Sequence, residues 1–132
     1  MINIILIDDH KVVRQGVKSL LDSEPGFKVV GDTDDGREAL ILIRDLKPDI
    51  LITDLKMDKM NGLEVTLLVR ELSPRTKIIV LSMYGAGFVS EALKNGASGY
   101  VLKGGGIDEV IKAVREVSTG GIYVTPGLDK DN

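Results

Sequence analysis

The chain has 132 residues, of which 43% are hydrophobic and 28% are charged, and this composition is typical of one globular domain with its own core. The absence of cysteine excludes disulfides, thiol catalysis and cysteine-bound zinc. The net charge of −3, with basic residues scattered among acids, argues against direct binding of nucleic acid by this segment. No apolar run is long enough to span a membrane and no secretory signal opens the chain, so we expect a cytoplasmic protein.

Predicted strands and helices alternate five times along the chain. The strands are predicted at about 3–7, 27–32, 50–52, 77–82 and 99–102. The helices are predicted from about residue 10, and at about 37–46, 62–72, 88–94 and 107–118. Asp8 or Asp9 is expected to cap the first helix, and Asp35 is expected to cap the second.

Four of the predicted strands are apolar runs that end at polar residues. These polar ends are Asp8 and Asp9 after the first strand, Asp54 after the third, Ser82 after the fourth and Lys103 after the fifth. The alternation of strands and helices predicts a parallel sheet with helices on both faces, and such sheets bind ligands beyond the carboxyl ends of their strands. We therefore expect three carboxylates, a hydroxyl and an amine to share one crevice, with Asp54 as the reactive group.

Together with Met57, Gly62 and Tyr100, these polar ends resemble the receiver domain of two-component response regulators over nearly the whole chain. The segments 8–10, 13–16 and 120–126 are most similar to the NarL/FixJ (LuxR-type) subfamily. The resemblance implies a flavodoxin-like (CheY-like) α/β fold, with a doubly wound, five-stranded parallel sheet in the strand order 2-1-3-4-5. It also implies a receiver domain at 1–119 and, at 120–132, the start of a linker towards a C-terminal helix-turn-helix output domain.

The resemblance also implies roles for the residues of the crevice. Asp54 is expected to accept a phosphoryl group from a histidine kinase, with Lys103 and Ser82 contacting the phosphoryl oxygens. Asp9, Asp54 and the backbone carbonyl of Lys56 are expected to hold Mg²⁺ or Mn²⁺, because such hard cations prefer oxygen ligands, and Asp8 is expected to act through water. We expect a phosphoryl acceptor that can release the group again, and not a turnover enzyme.

The resemblance also implies a switch behind the crevice, in which Ser82 moves towards the phosphoryl group and Tyr100 fills the space behind it. Each of these residues also has an ordinary structural interpretation. The acids can serve as helix caps or turn residues, Ser82 as a strand end, Lys103 as a surface lysine and Tyr100 as strand packing. The only histidine, His10, is interpreted as a residue of the first helical turn. The pattern departs from other receivers at Gly104 and Asp58, where proline is common.

Two outputs fit the sequence. The first is control of transcription through a DNA-binding domain that this chain lacks, and the alternative is a stand-alone receiver that binds a partner protein. A homodimer through the first and last helices is a further candidate, although their apolar stripes can equally face the core. A flavin binder fits poorly because acids stand where phosphate-binding loops would be needed.

Overall fold

The computed structural model describes residues 1–57, 60–85 and 87–128, with only the backbone of Ile107, so Asp58 lies outside the described residues. Six strands are present: β1 (Ile2–Ile7), β2 (Phe27–Thr33), β3 (Ile50–Asp54), β4 (Lys77–Ser82), β5 (Gly99–Leu102) and β6 (Tyr123–Val124). The helices are α1 (Lys11–Ser23), α2 (Gly36–Leu46), α3 (Gly62–Leu72), α4 (Val89–Lys94) and α5 (Ile107–Ser118), with a 3₁₀ turn at Lys103–Gly105. The predicted alternation of strands and helices is therefore confirmed.

The strands form one parallel sheet in the order β2-β1-β3-β4-β5-β6. The predicted order of the first five strands is correct, whereas the predicted number of strands is one too few. The backbone N–H of Tyr123 donates to the Ser98 carbonyl at 3.0 Å, and that of Thr125 donates to the Tyr100 carbonyl at 2.9 Å. Residues 120–128 thus include an edge strand, and the assignment of this segment as the start of a linker stays a prediction.

Helices cover both faces of the sheet, so the strand residues alternate between two layers of the core. Ile4, Leu6, Ile50 and Ile52 pack towards α1 and α5, whereas the alternate positions pack towards α2 and α3. The positions on the second face are Ile5, Ile7 and Leu51. All seven side chains are buried, and each contributes about 1.5–3 kcal/mol by leaving water. This burial on both faces explains why the strands are continuous apolar runs.

Part of the apolar stripe on each of the first and last helices faces the core. Val17 and Leu21 of α1 lie in the same buried cluster as Val110 and Val114 of α5. These four residues therefore pack inside the domain and are not free for contact with a second copy. Among the described residues, no helix combines the length and the apolar character needed to cross a bilayer.

The helix caps agree only in part with the sequence. The side chain of Asp35 accepts a hydrogen bond from the Arg37 N–H at 2.9 Å and caps α2 as predicted. The prediction for α1 was wrong, because its N-cap residue is His10 and no side chain caps it. Asp8 instead accepts a hydrogen bond from the backbone N–H of His10 at 2.8 Å, just before the helix begins. The carboxylates after β1 are thus directed to the edge of the sheet.

Candidate functional site

Three charged side chains from separate parts of the chain meet at the carboxyl edge of the sheet. Asp8 follows β1 and Asp54 ends β3, and these strands are parallel neighbours. Lys103 begins the turn after β5, and its Nζ lies 3.0 Å from Asp8 Oδ2 and 3.2 Å from Asp54 Oδ2. The lysine side chain is only 8% exposed, so its ammonium group is fixed between two buried carboxylates.

The environment of Asp54 opposes its ionisation. Burial of its carboxyl group raises the pKa from the ordinary value of 3.8 to about 6, and the negative charge of Asp8 acts in the same direction. The ammonium of Lys103 opposes this rise by charge and by a hydrogen bond. A second positive charge at the site would therefore favour the ionised form of Asp54, which is the form that can act as a nucleophile.

The histidine side chain completes the cluster, a feature that the sequence interpretation missed. The Nδ1 atom of His10 lies 3.2 Å from Asp8 Oδ1, 3.4 Å from Asp9 Oδ1 and 3.6 Å from Asp54 Oδ2. The only available signal was its position directly after two acids that were already assigned to the site. Because the direction of a side chain before a helix depends on its rotamer, sequence spacing alone could not place the imidazole here.

The donor set fits a cation. Asp8, Asp9, His10 and Asp54 each offer one ligand atom, and these atoms all lie within 4.8 Å of one another. Of three buried carboxylate oxygens, Asp8 Oδ2 and Asp54 Oδ2 share one ammonium, Lys103 Nζ, and Asp9 Oδ1 has no hydrogen bond within the described residues. Three carboxylates beside one ammonium leave negative charge without compensation, which is costly when buried, and a metal ion would offset it. The acidic cluster could therefore hold a metal ion.

Ser82 and Tyr100 are both hydrogen-bonded to the backbone of one residue, Tyr84. The buried Ser82 hydroxyl accepts a hydrogen bond from the Tyr84 N–H at 2.9 Å. The hydroxyl of Tyr100, whose side chain is fully buried, donates to the Tyr84 carbonyl at 2.7 Å. Burial raises the pKa of the Tyr100 phenol, so it remains a neutral donor at physiological pH. The two predicted switch residues are thus connected through the backbone at Tyr84.

Two further contacts hold the loops around the acids. The exposed Lys56 extends over the Tyr84 ring, with Nζ 4.6 Å from its centroid, and lies 5.5 Å from the centroid of Phe88. Arg14 of α1 donates to the Asp8 carbonyl at 2.5 Å and, through Nε, to Asp32 at 3.2 Å. Arg14 therefore fixes the backbone that carries Asp8, a role that was not predicted from the sequence.

The start of α3 packs directly on the end of β3. The Gly62 N–H donates to the Leu55 carbonyl at 2.7 Å. A Cβ atom added to Gly62 would lie 2.2 Å from the Asp54 carbonyl oxygen, where no atom fits. Glycine is therefore required here by the close approach of two backbones, and this approach fixes the residue that follows Asp54.

Comparisons with known proteins agree with this geometry. The family model of the response regulator receiver domain matches residues 4–115. This chain belongs to the response regulator receiver domain family. The transcriptional regulatory protein DegU of Brevibacillus brevis is 43% identical to it over 126 residues, which are 95% of this chain and 53% of DegU. This receiver domain thus spans about half the length of that relative.

Solved structures show the same fold. A LuxR-family two-component response regulator from Aurantimonas sp. SI85-9A1 aligns with a TM-score of 0.91 and 34% identity, covering 96% of this chain and 91% of the other. The receiver domain of the putative response regulator NarL from Mycobacterium tuberculosis aligns with a TM-score of 0.85 and 34% identity. The alignment covers 90% of this chain and 97% of the other. This receiver domain is therefore of the NarL/FixJ type.

The receiver domain brings most of the predicted site residues together. Asp8, Asp9, Asp54 and Lys103 share one cluster at the edge of the sheet. Ser82 ends the next strand, β4, and its hydroxyl is bonded to the loop beyond it. The side chain of Lys56 faces the aromatic rings, and the role of its backbone carbonyl as a metal ligand stays a prediction.

Replacing Tyr100 by phenylalanine is expected to destabilise the receiver domain by about 1 kcal/mol, because the Tyr84 carbonyl loses its donor while the ring still fills the core. Urea unfolding measures this difference. Tyr84→Phe is the matched control, since its half-exposed ring keeps the contact with Lys56, and its change should stay within about 0.5 kcal/mol. Equal stability of the two variants would contradict a structural role for the Tyr100 hydroxyl.

Proposed function

We propose that this receiver domain accepts a phosphoryl group on Asp54 from a sensor histidine kinase. The observation that carries the proposal is the contact of one buried ammonium, Lys103 Nζ, with both Asp8 and Asp54 at 3.0 and 3.2 Å. This arrangement sets a nucleophilic carboxylate beside a fixed positive charge. Phosphoryl transfer requires both, since negative charge on the incoming group must be neutralised as it approaches another anion.

The proposed transfer uses the side chains of the site as follows. A carboxylate oxygen of Asp54 forms a bond to phosphorus while the bond from phosphorus to the donor histidine nitrogen of the kinase breaks. The electron pair of that bond stays on the imidazole of the kinase, which takes up a proton. Lys103 contacts a phosphoryl oxygen during the transfer, and the Ser82 hydroxyl donates to another after it.

We propose Mg²⁺ or Mn²⁺ as the cation of the site. Asp9, Asp54 and the Lys56 carbonyl would be the protein ligands, and Asp8 would act through water. The buried carboxylate oxygens, which outnumber the one ammonium beside them, support this donor set. When bound, such a cation withdraws charge from the phosphoryl oxygens and from the crowded acids. Each chain accepts one phosphoryl group and can release it by hydrolysis, so the domain acts stoichiometrically and not as a turnover enzyme.

Phosphorylation would be transmitted through the backbone of Tyr84. The added group carries about −1.5 to −2 charges. If Ser82 turns towards it, the hydroxyl leaves the Tyr84 N–H, and the carbonyl of the same residue is the acceptor of Tyr100. One local change of charge thereby alters the packing beneath α4 and β5, which is a two-state shift biased by a modification.

Incubation with acetyl phosphate and Mg²⁺, followed by intact mass measurement, tests the proposal. Wild type should gain the mass of one phosphoryl group, labile at alkaline pH, because an acyl phosphate hydrolyses readily. Asp54→Asn should gain none. Asp45→Asn, which changes an exposed acid of α2, is the control and should be labelled like wild type. A labile gain that survives in Asp54→Asn would assign the acceptor elsewhere.

For the whole protein, we propose a cytoplasmic transcription regulator in which this domain controls a DNA-binding output domain. The name of the relative DegU, a transcriptional regulatory protein, and its greater length support this proposal. The alternative is a stand-alone receiver that signals by protein–protein contact. A gene that encodes a basic helical domain after residue 132 would favour the first. The homodimer through α1 and α5 stays a prediction, which sedimentation with and without beryllofluoride can test.

A further inference from the structure

The position of His10 has no explanation in the proposed chemistry. Its Nδ1 atom lies 3.2 Å from an acceptor, Asp8 Oδ1, and also 3.2 Å from a donor, Lys103 Nζ. A neutral imidazole nitrogen either donates or accepts, so it cannot satisfy both neighbours. The histidine side chain is 54% exposed and is free to turn into solvent, yet it lies against the acids.

The atoms around Nδ1 lie close enough together to be ligands of one metal ion. The three carboxylates supply oxygens at 3.2, 3.4 and 3.6 Å from this nitrogen. Neighbouring ligands on a divalent metal with bonds of about 2.1 Å are separated by roughly 3.0–3.4 Å. One ligand atom from each of Asp8, Asp9, His10 and Asp54 lies within 4.8 Å of the other three, so the nitrogen and the carboxylate oxygens could bind one ion.

We propose that His10, through Nδ1, is an additional protein ligand of the metal site and makes it favour imidazole-binding transition metals such as Ni²⁺ and Co²⁺ over Mg²⁺. An imidazole nitrogen strengthens binding in the order of affinities of the first-row metals, whereas Mg²⁺ gains little from a nitrogen ligand. The inference rests on the proposed metal role of the same acids. Its biochemical consequence is a receiver whose occupancy depends on which divalent metal is available.

The chain is well suited to a test because it contains one histidine and no cysteine. Any imidazole–metal signal from untagged protein must therefore come from His10. Calorimetric titration of wild type and His10→Ala with Ni²⁺ and with Mg²⁺ separates the two donor types. We expect His10→Ala to lose about tenfold or more in Ni²⁺ affinity and less than about threefold in Mg²⁺ affinity. In wild type, Co²⁺ should shift the imidazole proton resonances, a readout that does not depend on phosphorylation.

Asp9→Asn is the matched control, because it leaves the imidazole in place and removes a carboxylate of the cluster. It should weaken Ni²⁺ and Mg²⁺ binding together. Ni²⁺ binding that is insensitive to Asp9→Asn, or that changes less than about threefold in His10→Ala, would overturn the assignment of His10 while leaving the proposed magnesium role intact. Wild type that binds neither metal would overturn both. His10-dependent Ni²⁺ binding without any Mg²⁺ binding would support His10 and contradict the magnesium proposal.

Discussion

Gly62→Ala is expected to destabilise the domain by about 3 kcal/mol or more, because the new methyl group would lie 2.2 Å from the Asp54 carbonyl oxygen. Its other close neighbours are the Asp54 carbonyl carbon and the Leu55 Cα, both at 3.1 Å. All three are backbone atoms, so no side chain can rotate away. Relief requires α3 to shift from the end of β3, which breaks the hydrogen bond from Gly62 to Leu55 and displaces Asp54.

Gly16→Ala is the matched control for this steric argument. Gly16 lies within α1, and a Cβ there would meet no atom within 4 Å. Alanine is the better helix former, so this variant should be more stable than wild type by up to about 1 kcal/mol. Urea unfolding of both variants measures the difference. A Gly62→Ala protein within about 0.5 kcal/mol of wild type would refute the close approach of α3 to β3.

Asp54→Asn is expected to stabilise the metal-free domain by about 1–3 kcal/mol above pH 6 and to have little effect below pH 4. The folded chain holds the Asp54 proton up to a pKa of about 6, whereas the unfolded chain loses it near 3.8. Wild type therefore loses stability as the pH rises from 4 to 6. A shift of about two pKa units corresponds to roughly 3 kcal/mol, and the asparagine amide must find partners in the same pocket.

Urea unfolding between pH 4 and pH 7.5 in the presence of EDTA measures this effect. Adding Mg²⁺ at about a hundred times its dissociation constant should stabilise wild type by roughly 2.7 kcal/mol and should stabilise Asp54→Asn much less. Asp45→Asn, at an exposed site, should follow wild type throughout. A wild-type stability that rises between pH 4 and pH 6 by more than that of Asp54→Asn would contradict the raised pKa.

The strands were predictable because a strand that is buried on both faces consists of consecutive apolar residues. Residues 50–52 alternate between two core layers, so each is apolar. The shared edge of Asp8, Asp54 and Lys103 then follows from parallel pairing. By contrast, the edge strand Tyr123–Val124 has two residues and follows two glycines, so it shows no periodicity and was missed.

The directions of several side chains also could not be predicted from the sequence. Asp8 and Asp9 are good capping residues in isolation, yet neither caps α1, because the helix starts after His10. The start of α4 was predicted one residue early, at Phe88, which is its N-cap residue. The side-chain positions of His10 and Arg14 depend on their rotamers, which are set by contacts formed only in the folded domain. The local sequence pattern therefore does not predict them.

The strand order has a consequence for the growing polypeptide on the ribosome. Every strand after β2 pairs with a strand that has already been synthesised, so the sheet can grow by adding one strand at a time at its edge. Asp8 and Asp54 become neighbours when β3 joins β1, but their counter-ion, Lys103, emerges only after β5. Nascent chains that end before Lys103 hold these acids without their ammonium partner. Docking of β5 therefore adds charge neutralisation to apolar burial, which favours completion of the fold.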